Sequence, residues 1–453
     1  MELLEQILEA GIVGCGGAGF PTHAKYRGAF DTVLLNGAEC EPLLRTDRYL
    51  MRHEARAIVT AAAALREAAG AQDCVIALKH TYEAECTALQ QAIDQLGAPV
   101  RLHRMDSFFP AGDEQTIVYE VTGRIVPPAG LPAHVGCVVS NVATALCVAD
   151  AMQGRPFTQK YLTVTGAVHT PVIVRAPIGT PVRDCIALAG GPTVSDYIVV
   201  NGGPMMGRQM SREAAEEAHV TKTMSGLLVL PTENAVARRG AVTLAQMQNR
   251  ARSACIQCSF CTQLCPRHLL GHPLEPHRIM RKFAMGGDVM QMLDDPDVRN
   301  AALCCECGVC EVFACPMGLQ PRRINALLKQ ALGKAGIRYT PAETSWHAHA
   351  EREVRKAPTG RIAARAGVAA YQKLDIDTLA TASPASVALA LKQSIGAPAQ
   401  PVVQTGDTVQ MGQKIAVCPQ GALGTNLHAS VDGVVRAVTE TEIVIDAEKG
   451  GRG

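Results

Sequence analysis

The sequence predicts a multidomain chain with a parallel α/β domain at its start, two small β modules after it, and a helical, cysteine-rich module between those two. Strand-like and helix-like segments alternate from residue 31 to about 155, as in domains built on a parallel sheet. Segments rich in Thr and Val and punctuated by Gly and Pro occupy residues 160–230, and short strands recur near the end of the chain. Nine of the 17 cysteines fall in two short runs between them.

Composition limits the class of protein before any motif is considered. The 453 residues suffice for two to four domains, and 47% of them are hydrophobic, which excludes wholesale disorder. A net charge of +1 excludes the basic surface typical of nucleic-acid-binding proteins. No apolar stretch approaches the ~20 residues of a membrane span, and MELLEQILEAGIV lacks the basic start of a secretory signal. We therefore expect no nucleic-acid partner, no membrane span and a cytoplasmic location.

The first domain, residues 1–155, is predicted from periodicity. Short apolar segments bounded by turn residues indicate strands, and each is followed by a segment of helical length. Strands joined by such helices lie parallel, because a parallel pair needs a crossover of a dozen or more residues. The expected strands are 31–36, 74–79, 99–104 and 136–141, and the expected helices are 51–69, 82–96, one from Glu114 and one from Val142.

The rest of the chain divides into four segments. Residues 156–235 are predicted to form a mixed β module from their Thr, Val, Gly and Pro content. Helical pieces surround the cysteine runs over 240–335, and a basic, alanine-rich connector is expected over 336–390. Short strands at regular turn spacing predict a small barrel or sandwich over 391–453.

The two cysteine runs have the spacing of iron–sulfur ligands. The first, CIQCSFCTQLCP from residue 255, is C-x2-C-x2-C-x3-C-P, the bacterial ferredoxin spacing in which the fourth cysteine binds the partner cluster. The second, CCECGVCEVFACP from residue 304, has one more residue before its last cysteine. Cys305 breaks the x2 spacing and is expected to be a neighbour of the ligands. We expect two [4Fe–4S] clusters, one held by Cys255, Cys258, Cys261 and Cys315 and the other by Cys304, Cys307, Cys310 and Cys265.

Zinc is the alternative occupant, because it also binds thiolates. Zinc ribbons pair two C-x2-C knuckles, whereas here two triple runs each end in Cys-Pro, so the spacing favours clusters. Clusters pass electrons singly and perform no substrate chemistry of their own. We therefore expect no acid–base catalytic residue, and the electron donor must bind elsewhere in the chain.

A glycine-rich loop, GCGGAGFPTHAK at residues 14–25, is the candidate for the donor site. It matches G-x-G-x-x-G formally, but the residues before it look helical and Pro21 follows it, which disfavours a plain dinucleotide fingerprint. Such a loop can still present backbone N–H groups to a phosphate or lie against a planar ring, with Lys25 as a cation. The alternative is a tight turn that binds nothing.

Three further stretches follow this loop in order: NGAECEP at 36–42, PAGDEQTIVYEVTGRIVPP at 110–128 and SNVATA at 140–145. Together with the loop they resemble the flavin-binding subunit of respiratory complex I and the C subunit of the Rnf electron-transport complex. The resemblance implies a Rossmann-like domain that binds FMN and the incoming NADH.

The same resemblance assigns residues to this site. Ser140 stands where an asparagine is common in these relatives. Phe20 would stack on a nucleotide ring. FMN would be held by Gly14, Gly16, Gly17, Lys25, Asn36, Asn141 and Thr144, and the acidic residues near the flavin or the nicotinamide nucleotide would be Glu39, Glu41, Asp113 and Glu114.

Over its whole length the chain resembles, more specifically, the cobalamin reductases of propanediol-utilisation microcompartments, with GGPMMG at 202–207, CPRHLLGH at 265–272 and GALGTNLHASVDGVV at 421–435 in support. This resemblance implies a β-grasp (SLBB) second module, a ferredoxin-like two-cluster module and a C-terminal barrel-sandwich hybrid. It implies NADH-dependent reduction of cob(III)alamin to cob(II)alamin, which supports cob(I)alamin formation for coenzyme B12 recycling. The expected partners are cobalamin or a cobalamin-handling adenosyltransferase, and microcompartment shell proteins.

Two other functions remain open from the sequence. One is an NADH:ferredoxin or quinone-type module of an Rnf-like complex, and the other is a non-enzymatic iron–sulfur relay with a vestigial glycine loop. The first helix, which carries Leu3, Leu4, Ile7 and Leu8 on one side, is either a cargo tag for a shell or, as we expect, a packing helix of the flavin domain.

Overall fold

The structure, a computed structural model, describes residues 2–286, 288–341, 343–372 and 375–448. Its helices and strands form four modules that follow one another along the chain. Within the described residues, no helix is both long and apolar enough to cross a membrane.

The N-terminal module is a parallel sheet with helices packed against it. Its elements are α1 (Leu3–Glu9), α2 (Thr22–Lys25), β1 (Thr32–Asn36), α3 (Thr46–His53), α4 (Ala55–Ala68), β2 (Asp73–Lys79), α5 (Glu83–Leu96), β3 (Arg101–Met105), β4 (Phe108–Phe109), α6 (Glu114–Thr122), β5 (Cys137–Asn141) and α7 (Val142–Met152). The sheet has the order β3-β2-β1-β5, and every pair in it is parallel. The expected parallel α/β domain is therefore confirmed.

Both faces of this sheet are covered, which explains why its strands are continuous apolar runs. Val33 and Leu35 of β1 point into one hydrophobic core, which also contains side chains of α4, α5 and α7. Leu34, between them, points into a second core with Ile117 and Val118 of α6. The polar residues that end β1 and β5 lie beyond both cores, at the edge where the sheet is open.

The helix expected over 51–69 differs from the observed ones. The chain forms α3 first and, after a break at Glu54, α4. The carboxylate of Glu39 accepts the backbone N–H groups of Asp47 (2.7 Å) and Arg48 (3.3 Å), which satisfies donors in the first turn of α3. Because this cap comes from outside the helix, no local pattern in the sequence predicts the earlier start.

The second module is a mixed sheet that begins directly after α7. It contains β6 (Gln159–Gly166), β7 (Val172–Pro177), α8 (Val182–Leu188), β8 (Tyr197–Asn201), β9 (Arg208–Ser211), α9 (Arg212–Glu217) and β10 (Gly226–Pro231). The strands take the order β7-β6-β10-β8-β9, and within this order only the β6–β10 pair is parallel. The loop between β8 and β9 is GGPMMG, and it contacts the N-terminal module.

The third module is helical and carries both cysteine runs. It contains α10 (Ala235–Ala241), α11 (Leu244–Ala254), α12 (Phe260–Gln263), α13 (Pro266–Leu269), α14 (Pro276–Met285), α15 (Val289–Met292), α16 (Pro296–Arg299), a 3-10 turn (Asn300–Leu303), a π-helical turn (Val309–Ala314) and α17 (Pro321–Lys334). Its core is formed chiefly by one face of α14 and one face of α17, with Phe283 and Leu328 fully buried.

The segment expected to be a connector, 336–390, is integrated into the other modules. It contains 3-10 turns (Ala350–Arg355, Ala369–Tyr371), β11 (Ala357–Pro358), α18 (Thr359–Ala366) and β12 (Leu379–Thr381). β11 pairs with β4 of the first module, and β12 adds a sixth strand to the second module beside β7. Composition alone indicated a linker, because the partners of these short strands lie far away in sequence.

The C-terminal module consists of two small antiparallel sheets. Its strands are β13 (Ser386–Ala390), β14 (Gln400–Pro401), β15 (Thr408–Val409), β16 (Lys414–Val417), β17 (Leu427–His428), β18 (Gly433–Val438) and β19 (Glu442–Ala447). The sheet orders are β13-β19-β18-β15 and β14-β16-β17. The first strand of this module thus lies before residue 391, the expected start.

The first helix packs within the protein, as expected for a structural helix. Ile7 is fully buried in the core that the N-terminal and C-terminal modules share. Lys222, from the second module, donates its ammonium to the carbonyls of Gly11 (2.6 Å) and Asn426 (3.0 Å), and burial lowers the pKa of Lys222 to about 7. Three modules therefore meet next to α1.

Candidate functional site

The crevice where the parallel sheet changes direction is the first part of the site. From β1 the chain crosses to β2 and β3 on one side, whereas β5 lies on the other side. Open α/β sheets bind ligands at such a switch point, outside the carboxyl ends of the strands. Asn36 and Asn141 end β1 and β5 and stand opposite each other in register. The two asparagines assigned to FMN therefore lie side by side at this point.

The glycine loop lies against the same crevice. An added Cβ at Gly16 would come within 3.6 Å of the Asn141 side chain, and Gly17, with φ +102°, faces open space. The backbone N–H of Cys15 donates to the hydroxyl of Thr144 (2.9 Å), on the first turn of α7. The open backbone of the loop thus meets the N-terminus of a helix, which suits the phosphate of a nucleotide and fits FMN.

Further assigned residues close this crevice. The Asn36 amide donates to the carbonyl of Gly112 (2.9 Å), and an added Cβ at Gly112 would lie 3.1 Å from that amide. Lys25 pairs with Glu114 at 2.6 Å across the loop and α6, and both side chains are about one-third exposed. Phe20 is half-buried at the end of the loop. These residues are brought together, whereas their roles toward FMN and NADH stay predictions.

Asp47 is a residue of this crevice that the sequence motifs did not indicate. Its carboxylate accepts the amide N–H of Asn141 at 2.7 Å. Burial, and then the nearby carboxylate of Glu39, raise the pKa of Asp47 to about 8. Glu39 itself has a raised pKa from burial and is engaged with the first turn of α3. Glu39 therefore contacts the first turn of α3, which carries Asp47, and Asp47 in turn contacts Asn141.

Cys15 was also missed, although it lies inside the glycine loop. Its sulfur stands 3.9 Å from that of Cys147 on α7. The thiol of Cys147, followed by Lys160 among the charges, lowers the pKa of Cys15 to about 6 despite burial. A cysteine inside a glycine motif gives no pattern from which a partner over a hundred residues away could be predicted.

Glu41 lies away from the glycine loop, at the contact with the second module. Its carboxylate accepts the backbone N–H groups of Met205 (2.9 Å) and Met206 (2.8 Å) in the GGPMMG loop. An added Cβ at Gly203 would overlap the Glu41 side chain, including its Cβ, so a glycine is needed there. Burial raises the pKa of Glu41 to about 7. The role that the structure gives Glu41 is to join two modules.

This contact predicts a pH dependence of stability. The pKa of Glu41 rises from 4.5 in the unfolded chain to about 7 in the folded one. The contribution of the protonated carboxyl to the free energy of unfolding is therefore fully present below pH 4.5 and is lost as the pH rises to about 7. Between pH 5 and pH 8 we expect Glu41→Gln to remove roughly 2 kcal/mol of the wild-type decline in unfolding free energy.

Urea denaturation of both proteins at the two pH values measures this difference. Glu83→Gln, at an exposed position on α5, is the matched control and should leave the decline unchanged. An equal decline in wild type and Glu41→Gln would contradict the raised pKa of Glu41 and hence the burial of its carboxylate.

Asp113 connects the N-terminal module, which carries the crevice assigned to FMN and is called the flavin module below, to the helical module. It caps α6 by accepting the N–H of Thr116 (3.1 Å) and forms a two-pronged ion pair with Arg267, in which one N–O distance is 2.9 Å. The side chains of Arg267 and Asp113 are 9% and 12% exposed. Arg267 follows Cys265 by two residues, so the carboxylate assigned to the flavin side lies next to a cluster ligand candidate.

The four cysteines of the first expected set line one cavity. Its walls also include Met280, His277 and Met317. Two ligand candidates receive hydrogen bonds: Leu319 N–H donates to the sulfur of Cys315, and Gln257 Nε2 donates to that of Cys255. The cysteines of this set are Cys255, Cys258, Cys261 and Cys315.

The second set lines another cavity. Glu306 N–H donates to the sulfur of Cys304 at 3.3 Å. Cys305 also lines this cavity. The cysteines of the expected set are Cys265, Cys304, Cys307 and Cys310. In both cavities the last cysteine comes from the other run, as the ferredoxin spacing predicts.

The two runs share the backbone conformation around their middle cysteine. The residues on either side of the middle cysteine have positive φ in both: Gln257 and Ser259 around Cys258, and Glu306 and Gly308 around Cys307. In this alignment Cys305 corresponds to Ile256, which is 62% exposed. A left-handed residue on each side wraps the chain around a central body. Cys305 stands where the first run has no cysteine, and its place as a neighbour of the ligands stays a prediction.

The geometry of the sulfurs suits a multi-atom cluster. Among the described residues, no three side chains of His, Cys, Asp or Glu stand close enough to share a single metal ion. Instead, four cysteines line the first cavity and five, including Cys305, line the second. Backbone and amide N–H groups directed at the sulfurs are a means by which proteins tune cluster potentials.

Comparisons with known proteins agree with a flavin site in the N-terminal module and iron–sulfur clusters in the helical module. Four family models match the chain: the Nuo51 FMN-binding domain over residues 7–150, the SLBB domain over 161–209, a 4Fe-4S dicluster domain over 254–320 and the RnfC barrel sandwich hybrid domain over 371–449. Fold and site together define an electron-transfer oxidoreductase whose cofactors are FMN and two [4Fe–4S] clusters. The expected fold class and cofactors are confirmed.

Whole-chain relatives narrow the class to one family. The chain is 41% identical over 449 residues to cobalamin reductase PduS of Salmonella typhimurium, which covers 98% of this chain and 96% of that protein. Cobalamin reductase PduS of Citrobacter freundii is 40% identical over 97% of this chain and 95% of its own length. The chain belongs to this family of cobalamin reductases, as its resemblance implied.

More distant relatives match only in part. The C subunit of the Na(+)-translocating ferredoxin:NAD(+) oxidoreductase complex of Acetobacterium woodii is 35% identical over 58% of each chain. The crystal structure of an NAD+-reducing [NiFe]-hydrogenase in the H2-reduced state superposes with a TM-score of 0.48 at 20% identity, covering 73% of this chain and 62% of that one.

Proposed function

We propose that this chain oxidises NADH and reduces cobalamin, from cob(III)alamin to cob(II)alamin, in support of coenzyme B12 recycling. The observation that carries the proposal is the near-complete coverage of a cobalamin reductase at 41% identity. It is supported by a nucleotide-type crevice and two cysteine-lined cavities in one chain. FMN accepts an electron pair from a nicotinamide and releases single electrons, which is the conversion that two [4Fe–4S] clusters need.

In this proposal the residues of the crevice bind FMN and the nucleotide and orient them. The loop backbone at Gly16 and Gly17 and the N-terminus of α7 would hold the flavin phosphate, and the amides of Asn36 and Asn141 would fix the flavin over the switch point. Lys25, paired with Glu114, would stand at the entrance for the nucleotide. No side chain is needed to move a proton between substrates.

The two cysteine cavities differ in their surroundings. The second lies against the flavin module, because Arg267 beside Cys265 pairs with Asp113, and Cys40 packs in one hydrophobic cluster with Cys305 and Cys307. The first lies beneath the surface, where Ile256, Phe260 and Met317 are exposed by 62%, 47% and 41%. We infer that the second cavity is the inner site and the first cavity the outer site. The acceptor would then meet the protein on the side of the outer site.

The finer expectations about partners belong to the same proposal. Delivery of reduced cobalamin to an adenosyltransferase would explain why cob(I)alamin formation needs a partner. A location inside a microcompartment, with contacts to shell proteins, is the setting that the propanediol-utilisation resemblance implies. Since α1 is packed with Ile7 buried, a shell contact would use its exposed side.

An anaerobic optical titration tests the proposed function. NADH is added to the purified holoprotein until the flavin and cluster absorbance bleaches, and aquacobalamin is then added. We expect reoxidation with the appearance of the cob(II)alamin spectrum. Bleaching without cobalamin reduction would assign the electrons to another acceptor, such as the ferredoxin or quinone of an Rnf-like module. No response to NADH would leave an iron–sulfur relay only.

A further inference from the structure

A cavity between the second and third modules lies outside the sites described above. It is open on one side and is lined by the loop before β9, the end of α10, the π-helical turn and the start of α17. We call it the arginine cavity, after Arg239, Arg322 and Arg323, which line it together with Glu311.

The arginine cavity carries excess positive charge. The Nε of Arg322 pairs with the Glu311 carboxylate at 3.1 Å. Arg239 and Arg323 form no ion pair with a carboxylate within the described residues. They are held in place by carbonyls instead: Arg323 donates to the carbonyl of Arg239 (2.8 Å), and Arg239 to that of Ala366 (3.4 Å). Burial lowers the pKa of Arg239. Two guanidinium groups are therefore left for an anion.

The start of α17 adds to this charge. The helix is 14 residues long and begins at Pro321, so Arg322 and Arg323 belong to its first turn. The free backbone N–H groups and the dipole at a helix N-terminus favour an anion and disfavour cations. Two arginines at this position oppose the dipole, and a bound anion would relieve both.

A buried acceptor in the same cavity points to a second feature of the ligand. Glu311 is 4% exposed, and its Oε2 atom has no hydrogen-bond partner among the described residues, whereas its other oxygen pairs with Arg322. An unpaired buried carboxylate oxygen is costly unless a donor reaches it. A ligand that satisfies the whole cavity therefore has an anionic group and, beside it, a hydroxyl or N–H donor.

We propose that the arginine cavity binds a phosphate ester that also carries a hydrogen-bond donor. The phosphate would lie between Arg239 and Arg323, where the planar guanidinium fork suits phosphate oxygens, and the donor would face Glu311. Two sources share this chemistry. One is the nucleotide tail of a complete corrinoid, with its phosphodiester and ribose hydroxyl, and the other is a free nucleotide such as ADP.

The place of the cavity gives the first source a clear consequence. Glu311 directly follows Cys310 of the inner set, and Pro321, next to Arg322, lines the cavity of the outer set. A corrinoid anchored here by its tail would be held beside both cysteine sets. This choice of source rests on the proposed function, whereas binding of a phosphate ester does not.

Isothermal titration of the holoprotein with cobalamin, cobinamide and ADP tests the proposal. Cobinamide has the corrin ring without the phosphodiester. Tighter binding of cobalamin than of cobinamide supports the corrinoid source, and binding of ADP in preference to cobalamin supports the nucleotide source. In either case Arg239→Gln and Arg323→Gln should weaken binding by at least about tenfold.

Arg238→Gln is the matched control, because Arg238 is the exposed neighbour of Arg239 on the same helix. It should leave the affinity unchanged. Bleaching of the flavin by NADH in each variant shows that the protein is folded and separates this test from that of the proposed function. Equal affinity in Arg323→Gln, Arg239→Gln and wild type, or no binding of cobalamin and ADP at all, would overturn the proposal.

Discussion

Cys265→Ala is expected to remove the iron of the cluster assigned to the other run and to leave the remaining one intact. Cys265 lines the cavity of Cys304, Cys307 and Cys310, although it follows Cys261 in sequence. Iron bound per chain should fall from about eight to about four. Cys315→Ala should have the same effect on the cavity of Cys255, Cys258 and Cys261.

Double variants show which cysteines act together. If Cys265 and Cys304 hold one cluster, Cys265→Ala with Cys304→Ala should retain as much iron as either single variant, about four per chain. Cys265→Ala with Cys255→Ala should retain almost none. Cys305→Ala is the control and should keep about eight. Iron and acid-labile sulfide are measured in each variant. The reverse result for the two double variants would contradict the assignment of the last cysteine of each run to the cluster of the other run.

Asp113→Asn should cause a large loss of stability in the flavin module. The asparagine keeps the shape and the cap of α6 but leaves Arg267 buried without its charge partner. Loss of one partner of a buried pair typically costs about 3–5 kcal/mol. The unpaired positive charge beside Cys265 should also raise the reduction potential of the inner cluster, because it stabilises the added electron.

The exposed pair Arg124–Asp31 in the same module is the matched control. Its side chains are 42% and 43% exposed, and Asp31→Asn should cost less than about 1 kcal/mol. Chemical denaturation of the holoproteins and a potentiometric titration followed by electron paramagnetic resonance measure the two effects. If Asp113→Asn loses no more stability than Asp31→Asn and the inner potential stays the same, the pair does not join the two sites.

Local patterns allowed the first module and the cysteine cavities to be predicted. The strands of the parallel sheet are short apolar runs between turn residues, so β1, β2 and β5 lie within a residue of their expected places. The cysteine grouping follows from x2 spacing and the Cys-Pro turn, which constrain where a sulfur can reach. In both cases the information lies within about a dozen consecutive residues.

The contacts between modules could not be predicted in this way. Glu41 lies in a motif associated with the flavin, yet its carboxylate accepts N–H groups of Met205 and Met206, 164 and 165 residues away. Arg267 pairs with Asp113 across 154 residues. Such pairs leave no periodicity in the sequence, because a charged residue in a loop has the same local pattern whether it is buried or exposed.

The same reason explains the connector. Ala357–Pro358 and Leu379–Thr381 are too short to be recognised as strands, and each becomes one only because a sheet edge elsewhere supplies its hydrogen bonds. The arginine cavity could not be predicted from local sequence either, because Arg239 and Arg323 come from different helices that the fold brings together.

In the proposed function, electrons from NADH reach cobalamin through both cysteine sites, with the outer one last. Stopped-flow measurement of Cys258→Ala, which lacks an outer ligand but keeps the flavin crevice and the inner set, tests it most directly. We expect NADH to bleach the flavin at the wild-type rate, and the rate of cob(II)alamin formation to fall at least about 100-fold. Cobalamin reduction at the wild-type rate in this variant would show that the flavin or the inner site reduces the acceptor directly. The outer site would then not lie on the path of the electrons.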